Sequence, residues 1–156
     1  MEIARYERTG IPFSVAYIDV DDFKPINDRF GHEKGDLLLC EIAKAVGRNL
    51  RKTDTVARLG GDEFVILFSA SNLDAALPVM QRVRTELDAL HTEAGPVTFS
   101  IGLGAFSRPG LSPDEVIACC DSLMYRAKRE GKNTIACDQF ADTSAKPSQP
   151  SAKVPD

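Results

Sequence analysis

Tryptophan is absent from the 156-residue chain, and histidine and cysteine are scarce, with two and four copies. The cysteines are Cys40, Cys119, Cys120 and Cys137. None of them forms a C-x-x-C pair, and with so few histidines the ligand spacing of a zinc site is missing. We therefore expect four buried, reduced thiols, the usual state of cysteine in a cytosolic protein.

The chain also lacks a basic excess and a long apolar run. Its formal net charge is -4, so no overall positive field is available to hold a nucleic-acid backbone. No apolar run approaches the length that spans a membrane, and residues 1–10 are charged where a signal peptide would be apolar. We expect a cytoplasmic domain that contacts neither nucleic acid nor membrane. A strongly anionic ligand would need local lysines and arginines, or a metal ion.

The sequence does contain the periodicity of one folded domain, with 43% hydrophobic residues to fill a core. Apolar runs predict strands, and apolar residues three or four positions apart predict helices. In chain order we expect the end of a helix stopping near Gly10, a strand over 12–19, a helix over 35–51, a hairpin with arms 55–59 and 63–68, a helix over 72–90, a strand over 97–106, a helix over 112–131 and a strand over 134–137.

Two of these helices carry further signals. Pro78 falls inside a helical pattern, so it should occupy the first turn or kink the helix. In the helix that starts at "SPDE", Ser112 should cap, Pro113 should take the first turn and Glu115 should complete a capping box.

The order βαββαβαβ predicts an α+β domain with helices packed on a mainly antiparallel sheet, close to a ferredoxin-like arrangement. We expect this domain to cover residues 1–138. Residues 139–156 are rich in serine, proline and alanine and predict a disordered tail.

Acidic residues supply the candidate site. In "RLGGDEFVIL" two glycines at a hairpin turn are followed at once by Asp62 and Glu63, and Asp19 ends the first strand. If that strand pairs beside the hairpin, Asp19 and Asp62 converge, and a divalent cation such as Mg²⁺ relieves their repulsion. Asp62 and Glu63, as neighbours on a strand, should point to opposite faces.

Two other metal-dependent motifs fail on spacing. Counted from Asp19, the sixth and twelfth positions of an EF-hand loop hold Lys24 and Phe30 instead of glycine and glutamate. A haloacid-dehalogenase-type phosphatase would resemble D-x-D-x-T or D-x-D-x-V, and the fifth position here is Phe23.

Three separated segments, "DVDDFKPINDRFGHEKGD", "RLGGDEF" and "YRAKREGKN", closely resemble the GGDEF family of diguanylate cyclases. The resemblance runs from about Arg5 to Cys137, with the motifs in the family's order and spacing. It implies a fold related to nucleotidyl cyclases and polymerase palms. It also implies condensation of two GTP molecules into cyclic di-GMP, with release of pyrophosphate.

The resemblance assigns roles around the glycine turn. Gly60 and Gly61 form the turn over which GTP lies. Asp62 binds Mg²⁺ (or Mn²⁺, two ions per active site) and helps to activate the 3′-hydroxyl, while Asp19 and the backbone carbonyl of Val20 complete the metal site. Glu63 is a further catalytic candidate that either supports a second ion or holds the turn.

The resemblance also implies the GTP contacts. Loop amides near Phe23 and Lys24 would hold the terminal phosphates, and Asn27 and Asp36 would bind guanine. Asp36 is equally suited to cap the following helix.

Three more positions match the family's substrate contacts. His32 matches a substrate position but is equally suited to a structural role. Lys128 and Lys132 match a phosphate-binding pair, although a favourable charge at a helix C-terminus would also explain them. Lysine at position 132, where arginine is common, predicts a weaker phosphate grip.

A second motif implies regulation. Arg51 and Asp54 in "RKTD" form an R-x-x-D segment just upstream of the hairpin. In the family this segment, with Arg82 from the next helix, marks a site where cyclic di-GMP inhibits the enzyme.

One departure concerns the N-terminus. Family members usually carry D-x-L-T and N-R-R segments before the first strand, and residues 1–12 hold neither. We expect a piece of a longer protein with an upstream sensory or receiver domain, active as a homodimer of GTP-loaded domains. The alternative is a catalytically silent module that binds GTP or cyclic di-GMP.

Overall fold

The structure is a computed structural model that describes residues 2–142. Its helices are α1 (Glu2–Thr9), α2 (Phe23–Phe30), α3 (His32–Asn49), α4 (Leu73–Leu87) and α5 (Pro113–Arg129). Its strands are β1 (Phe13–Val20), β2 (Thr55–Gly60), β3 (Glu63–Phe68), β4 (His91–Thr92), β5 (Gly95–Pro96), β6 (Phe99–Ser107) and β7 (Thr134–Ala141).

Five strands form the central sheet in the order β2-β3-β1-β6-β7. The first three neighbouring pairs are antiparallel, and β7 joins β6 in parallel. This confirms the predicted α+β class with a mainly antiparallel sheet, and the first four strands have the ferredoxin-like order. β4 and β5 form a separate two-stranded hairpin, which the sequence pattern did not predict.

The central strand β1 is buried along its whole length because helices cover both faces of the sheet. Ile18 on one face belongs to a core that α3 and α4 complete. Tyr17 on the other face belongs to a core shared with α5. The carboxyl end of β1, where the candidate acids begin, is therefore fixed from both faces of the sheet.

Helix α5 packs closely on β6 because Gly102 has no side chain. A Cβ atom at Gly102 would lie 2.1 Å from the backbone oxygen of Cys120 and 2.4 Å from the backbone nitrogen of Met124. The start of the helix is fixed by the predicted capping box, in which Glu115 N donates to Ser112 Oγ at 3.2 Å. The close contact and the cap together set where the far end of α5, with its lysines, meets the sheet.

Helix α2 was not predicted, since its segment was interpreted as a polar loop. Pro25 is its third residue, a position in the first turn where proline costs no hydrogen bond. Pro78 lies in the second turn of α4, which continues past it to Leu87, so its placement in a first turn is wrong. β7 extends to Ala141, so the boundary predicted at 138/139 is wrong, and residues 143–156 of the predicted tail lie outside the described residues.

The cysteines only partly match the expectation of burial. All four are free thiols, but Cys40 is exposed and Cys119 and Cys137 are half-buried. Cys120 alone is fully buried among them, where burial raises the pKa of its thiol to about 12. Among residues 2–142, no helix has the length and apolar character needed to cross a membrane.

Candidate functional site

The structure brings the acidic residues together at one end of the sheet. Asp19 near the end of β1 lies directly opposite Glu63, the first residue of β3, so the two side chains share one face. Asp62 precedes β3 in the turn, and its backbone oxygen accepts a hydrogen bond from Val20 N at 3.2 Å. The prediction that Asp62 and Glu63 are neighbours on a strand is therefore wrong, and Glu63 is the acid in register with Asp19.

Asp19 is a buried carboxylate with a cationic neighbour. Burial is the main cause that raises its pKa, and the charges of Asp62 and Glu63 raise it further. Lys128 opposes this shift, because its Nζ lies 2.9 Å from Asp19 Oδ1. The ionised form of Asp19 thus depends on a nearby positive charge, whether an ammonium group or a metal ion.

The glycine turn leaves its outer face open. Gly61 has φ 49°, a conformation that glycine adopts without strain, whereas Gly60 is outside that region. Arg58 Nε donates to the backbone oxygen of Gly61 at 2.8 Å. Among the described residues, no atom lies within 4 Å of the Cβ positions of Gly60 and Gly61, so a flat ligand can approach the backbone there.

The predicted phosphate loop is the N-terminus of α2. Phe23 is its first residue and is buried, and Lys24 is exposed in the first turn. The amides at a helix N-terminus carry partial positive charge and favour anions. The expected loop is wrong as a structure, but the expected residues form the first turn of a helix, where backbone amides face the N-terminal end.

The two lysines of the predicted phosphate pair reach this end of the sheet from α5. Lys128 lies in the last turn of the helix and contacts Asp19. Lys132 follows the helix with φ 63°, and its Nζ lies 2.8 Å from Asp22 Oδ1. Each lysine is thus held by an acid beside the glycine turn.

The predicted guanine residues lie on α2 and α3. Asn27 Oδ1 is buried and, within residues 2–142, has no hydrogen-bond donor. Gly35 makes room for it, since a Cβ there would lie 1.8 Å from Asn27 Oδ1. An unpaired buried acceptor is costly, so this oxygen is suited to an N–H group of a ligand.

Asp36 lies in the second turn of α3, exposed, where it lines a depression with Val56, Arg58 and Phe64. The helix begins at His32, so the interpretation of Asp36 as its N-terminal cap is wrong. His32 is exposed at the first position of α3, and its role remains a prediction.

The R-x-x-D segment forms a turn before β2. Asp54 holds this turn through both carboxylate oxygens, which accept from Arg51 N at 3.0 Å and from Ser69 N at 3.2 Å. Arg51 and Arg82 are exposed, and within the described part of the chain neither guanidinium forms an ion pair. The six residues of β2 put this turn roughly 20 Å from the glycine turn.

Sequence reasoning missed two residues that support the acids. Burial and the charge of Glu63 raise the pKa of Tyr17 to about 12. Asp21 is buried and accepts hydrogen bonds from Thr98 and Ser100. Both residues lie two positions from Asp19 in the sequence. A tyrosine in a strand and an acid in an acidic segment are equally typical of a purely structural role, so this spacing did not mark them as part of the site.

The donor set suits a hard divalent cation. Among residues 2–142, no group of three or more histidine, cysteine or acidic side chains forms a ready metal site. Mg²⁺ commonly uses one or two carboxylates, water and substrate phosphates, which does not require such a group. Lys128 Nζ lies 2.9 Å from Asp19, so the site already accommodates a positive charge. The residues of the site therefore fit Mg²⁺.

The fold and this site define a palm-like α+β domain with acids, amides and lysines at one end of its sheet. The family model for "Diguanylate cyclase, GGDEF domain" matches residues 1–134. The chain belongs to the GGDEF family.

Relatives of the chain carry names from this family. It is 40% identical to diguanylate cyclase DosC of Escherichia coli K12, covering 86% of this chain and 30% of DosC. It is 37% identical to diguanylate cyclase DgcP of Pseudomonas aeruginosa, covering 86% of this chain and 20% of DgcP. The chain thus spans less than a third of the length of these curated relatives.

Solved structures show the same fold. Diguanylate cyclase SiaD of P. aeruginosa, in complex with its activator SiaC, has a TM-score of 0.82 at 35% identity, covering 88% of this chain and 54% of SiaD. The GGDEF domain of DgcB from Caulobacter crescentus, in complex with c-di-GMP, has a TM-score of 0.79 at 29% identity, covering 86% of this chain and 82% of that domain.

Proposed function

We propose that this domain condenses two GTP molecules into cyclic di-GMP and pyrophosphate. The observation that carries the proposal is the register pair of Asp19 and Glu63 beside an open glycine turn. If these acids were only solvated turn residues, Asp19 would not be buried and would not lie opposite another acid across the sheet. The names of the relatives support the same activity.

The acids at the turn would hold Mg²⁺ or Mn²⁺, with two ions per active site. Asp19 and Glu63 would supply carboxylates from one face, Asp62 a carboxylate from the turn and Val20 its backbone oxygen. When bound, the ions neutralise the triphosphate and favour attack by a 3′-hydroxyl on an α-phosphorus. Glu63 takes a larger part in this assignment than the sequence suggested, because it and not Asp62 is in register with Asp19.

The lysines would bind the phosphates by exchanging partners. Lys128 and Lys132 are 2.9 Å and 2.8 Å from the carboxylates of Asp19 and Asp22. When a cation takes over the charge of Asp19, Lys128 becomes available to a phosphate oxygen. The amides around Phe23 and Lys24 would add donors from the N-terminus of α2.

Guanine would be recognised by Asn27 and Asp36. The unpaired Oδ1 of Asn27 suits the exocyclic amine, and the Asp36 carboxylate accepts from N1–H. Adenine offers no N1–H donor, so these acceptors favour GTP over ATP.

Each bond of the product requires two domains. One domain presents the 3′-hydroxyl of its GTP and the other presents an α-phosphate. The 3′-hydroxyl loses its proton to solvent, its oxygen bonds to the α-phosphorus, and the bond from that phosphorus to the bridging oxygen breaks, so that one pyrophosphate leaves. The same exchange in the other direction closes the ring and releases the second pyrophosphate. We therefore propose a homodimer, cytoplasmic and controlled by an upstream sensory or receiver domain of a longer protein.

The turn of Arg51 and Asp54, with Arg82, would bind cyclic di-GMP as an inhibitor. Both arginines are exposed, and within residues 2–142 they are free of ion pairs, so they are available to phosphates. Asp54 would act mainly by holding the turn, because both of its oxygens are occupied.

The test is incubation of the chain with GTP and MgCl₂ and identification of the product by mass spectrometry. Glu63→Gln and Asp19→Asn should abolish the product, and Asp138→Asn, an exposed acid on β7, is the matched control. GTP binding without product would favour the silent module, and absence of both would overturn the proposal.

A further inference from the structure

Asp21 joins three segments of the chain that are far apart in sequence. Its Oδ1 accepts from Ser100 Oγ at 2.7 Å, and its Oδ2 accepts from Thr98 Oγ1 at 2.8 Å and from the backbone nitrogen of Asn133 at 3.1 Å. Its own backbone nitrogen donates to the oxygen of Thr98 at 2.9 Å. Only 4% of the residue is exposed, so water cannot replace these partners.

The contact with Asn133 fixes a loop of uncommon backbone conformation. Lys132 and Asn133, between α5 and β7, have φ 63° and 48°, a left-handed conformation that asparagine tolerates but that is uncommon for lysine. The backbone of Asn133 is held on both sides of its Cα, because Arg84 Nη2 donates to its oxygen at 2.7 Å. Asp21 and Arg84 therefore clamp the residue next to Lys132.

The charge-bearing end of Lys132 is also tied to this place. Its ammonium contacts Asp22, the residue that follows Asp21 and precedes α2 with φ 55°. Asp21 and Asp22 thus fix both the backbone beside Lys132 and the position of its ammonium group.

We propose that Asp21 is a positioning residue, which holds the α5–β7 loop so that Lys132 meets the triphosphate of the nucleotide. This inference rests on the proposed function for its ligand. Asp21 is assigned the role of a hydrogen-bond acceptor, because three donors already use most of the lone pairs of its two oxygens.

Two substitutions separate these roles. In Asp21→Asn, the amide oxygen can still accept from Asn133 and Thr98, and the amide nitrogen can donate to the hydroxyl of Ser100. Asp21→Ala leaves the amide of Asn133 buried without an acceptor. We expect GTP affinity, measured by calorimetry with Mg²⁺, to fall about tenfold in Asp21→Ala and to stay near wild type in Asp21→Asn. Equal loss in both variants, with a shifted Mg²⁺ requirement, would overturn the proposal in favour of a metal ligand.

A double-mutant cycle tests whether Asp21 acts through Lys132. Because the two substitutions remove one shared function, Asp21→Ala should add little to Lys132→Ala. Independent, additive losses of affinity would overturn the proposal. If Asp21→Ala fails to fold, Arg84→Ala releases the backbone oxygen of the same residue, Asn133, and takes its place in the cycle.

Amide hydrogen exchange in nucleotide-free protein provides a readout that does not depend on GTP. Exchange at Asn133 should be slow in the wild type and in Asp21→Asn and fast in Asp21→Ala. Unchanged exchange in Asp21→Ala would show that Asp21 does not hold the loop. A wild type that bound no GTP would overturn the proposed function and the purpose of the clamp, while the exchange data would still show whether the clamp exists.

Discussion

Lys128 and Asp19 form an ion pair at 2.9 Å although they lie on different elements, the end of α5 and the end of β1. The buried acid therefore carries its own counter-ion in the absence of a ligand. A metal ion at Asp19 would release this lysine, so the proposed binding of metal and of phosphate would be coupled through one side chain.

Asp19→Asn should abolish turnover and stabilise the metal-free protein at pH 7. In the folded protein, burial raises the pKa of Asp19 above its ordinary value of 3.8. The protonated acid therefore stabilises the fold below pH 3.8, and this stabilisation is lost as the pH rises through the folded-state pKa. Asparagine stays neutral at every pH. Thermal unfolding with EDTA should give a higher midpoint for Asp19→Asn at pH 7 and a smaller difference near pH 4.

Asp138→Asn, on the exposed part of β7, should show no such pH-dependent gain. A metal-free midpoint for Asp19→Asn at or below that of the wild type would contradict the cost assigned to the buried charge.

Gly35→Ala should damage the proposed guanine site through packing. The new methyl group would meet Asn27 Oδ1 at 1.8 Å, so either the asparagine or α2 must move. Overpacking of this kind costs about 1–3 kcal/mol, measurable by urea unfolding, and GTP affinity should fall as well. Gly47→Ala in the same helix is the control, because among residues 2–142 no atom lies within 4 Å of its Cβ position. Equal GTP affinity in both variants would remove Asn27 from the site.

Asp36→Ala should lower the preference for GTP over ATP without destabilising α3. A charge-assisted hydrogen bond contributes about 1.5–3 kcal/mol, which corresponds to roughly a tenfold to hundredfold loss in affinity for GTP. Since the residue is exposed and is not the N-terminal cap, the unfolding midpoint should stay close to wild type. Titrations with GTP and with ATP measure this preference. An unchanged preference would exclude Asp36 from guanine recognition.

Arg51→Ala should weaken binding of cyclic di-GMP by about tenfold to a hundredfold while turnover at low product concentration is retained. The distance between the two turns separates the functions. Lys52→Ala, an exposed neighbour of the same charge, controls for simple electrostatic attraction. If calorimetry gives the same affinity for cyclic di-GMP in the wild type and in Arg51→Ala, "RKTD" is an ordinary turn.

The sheet and most of its helices were predictable because their apolar periodicity is strong. The capping box at Ser112 and Glu115 is a local pattern, so it too was visible in the sequence. Helix α2 was not predicted, because its eight residues are too few for a clear helical repeat and it depends on Phe23 packing into the core formed with α3. Local propensity carries no information about such tertiary support.

The acids of the candidate site were found from the motif, but their pairing was not. Which of Asp62 and Glu63 is opposite Asp19 depends on where the turn ends and β3 begins. A shift of one residue reverses the faces, and the continuous pairing of β1 with β3, from Ser14–Phe68 to Asp19–Glu63, decides it here. The role of Asp21 was equally hidden, because its partner Asn133 is 112 residues away.

The site is consequently a late product of synthesis and folding. Its acids come from the first half of the chain, whereas the lysines come from the end of α5 and the loop before the last strand. The contact between Lys132 and Asp22 joins residues 110 positions apart, and contacts of such separation are among the slowest to form. A nascent chain that has reached β6 holds every acid of the proposed site and neither of the two lysines, Lys128 and Lys132, that are proposed to bind phosphate. Nucleotide binding should therefore begin only when the whole sheet is assembled, which makes it a natural probe for completion of the fold.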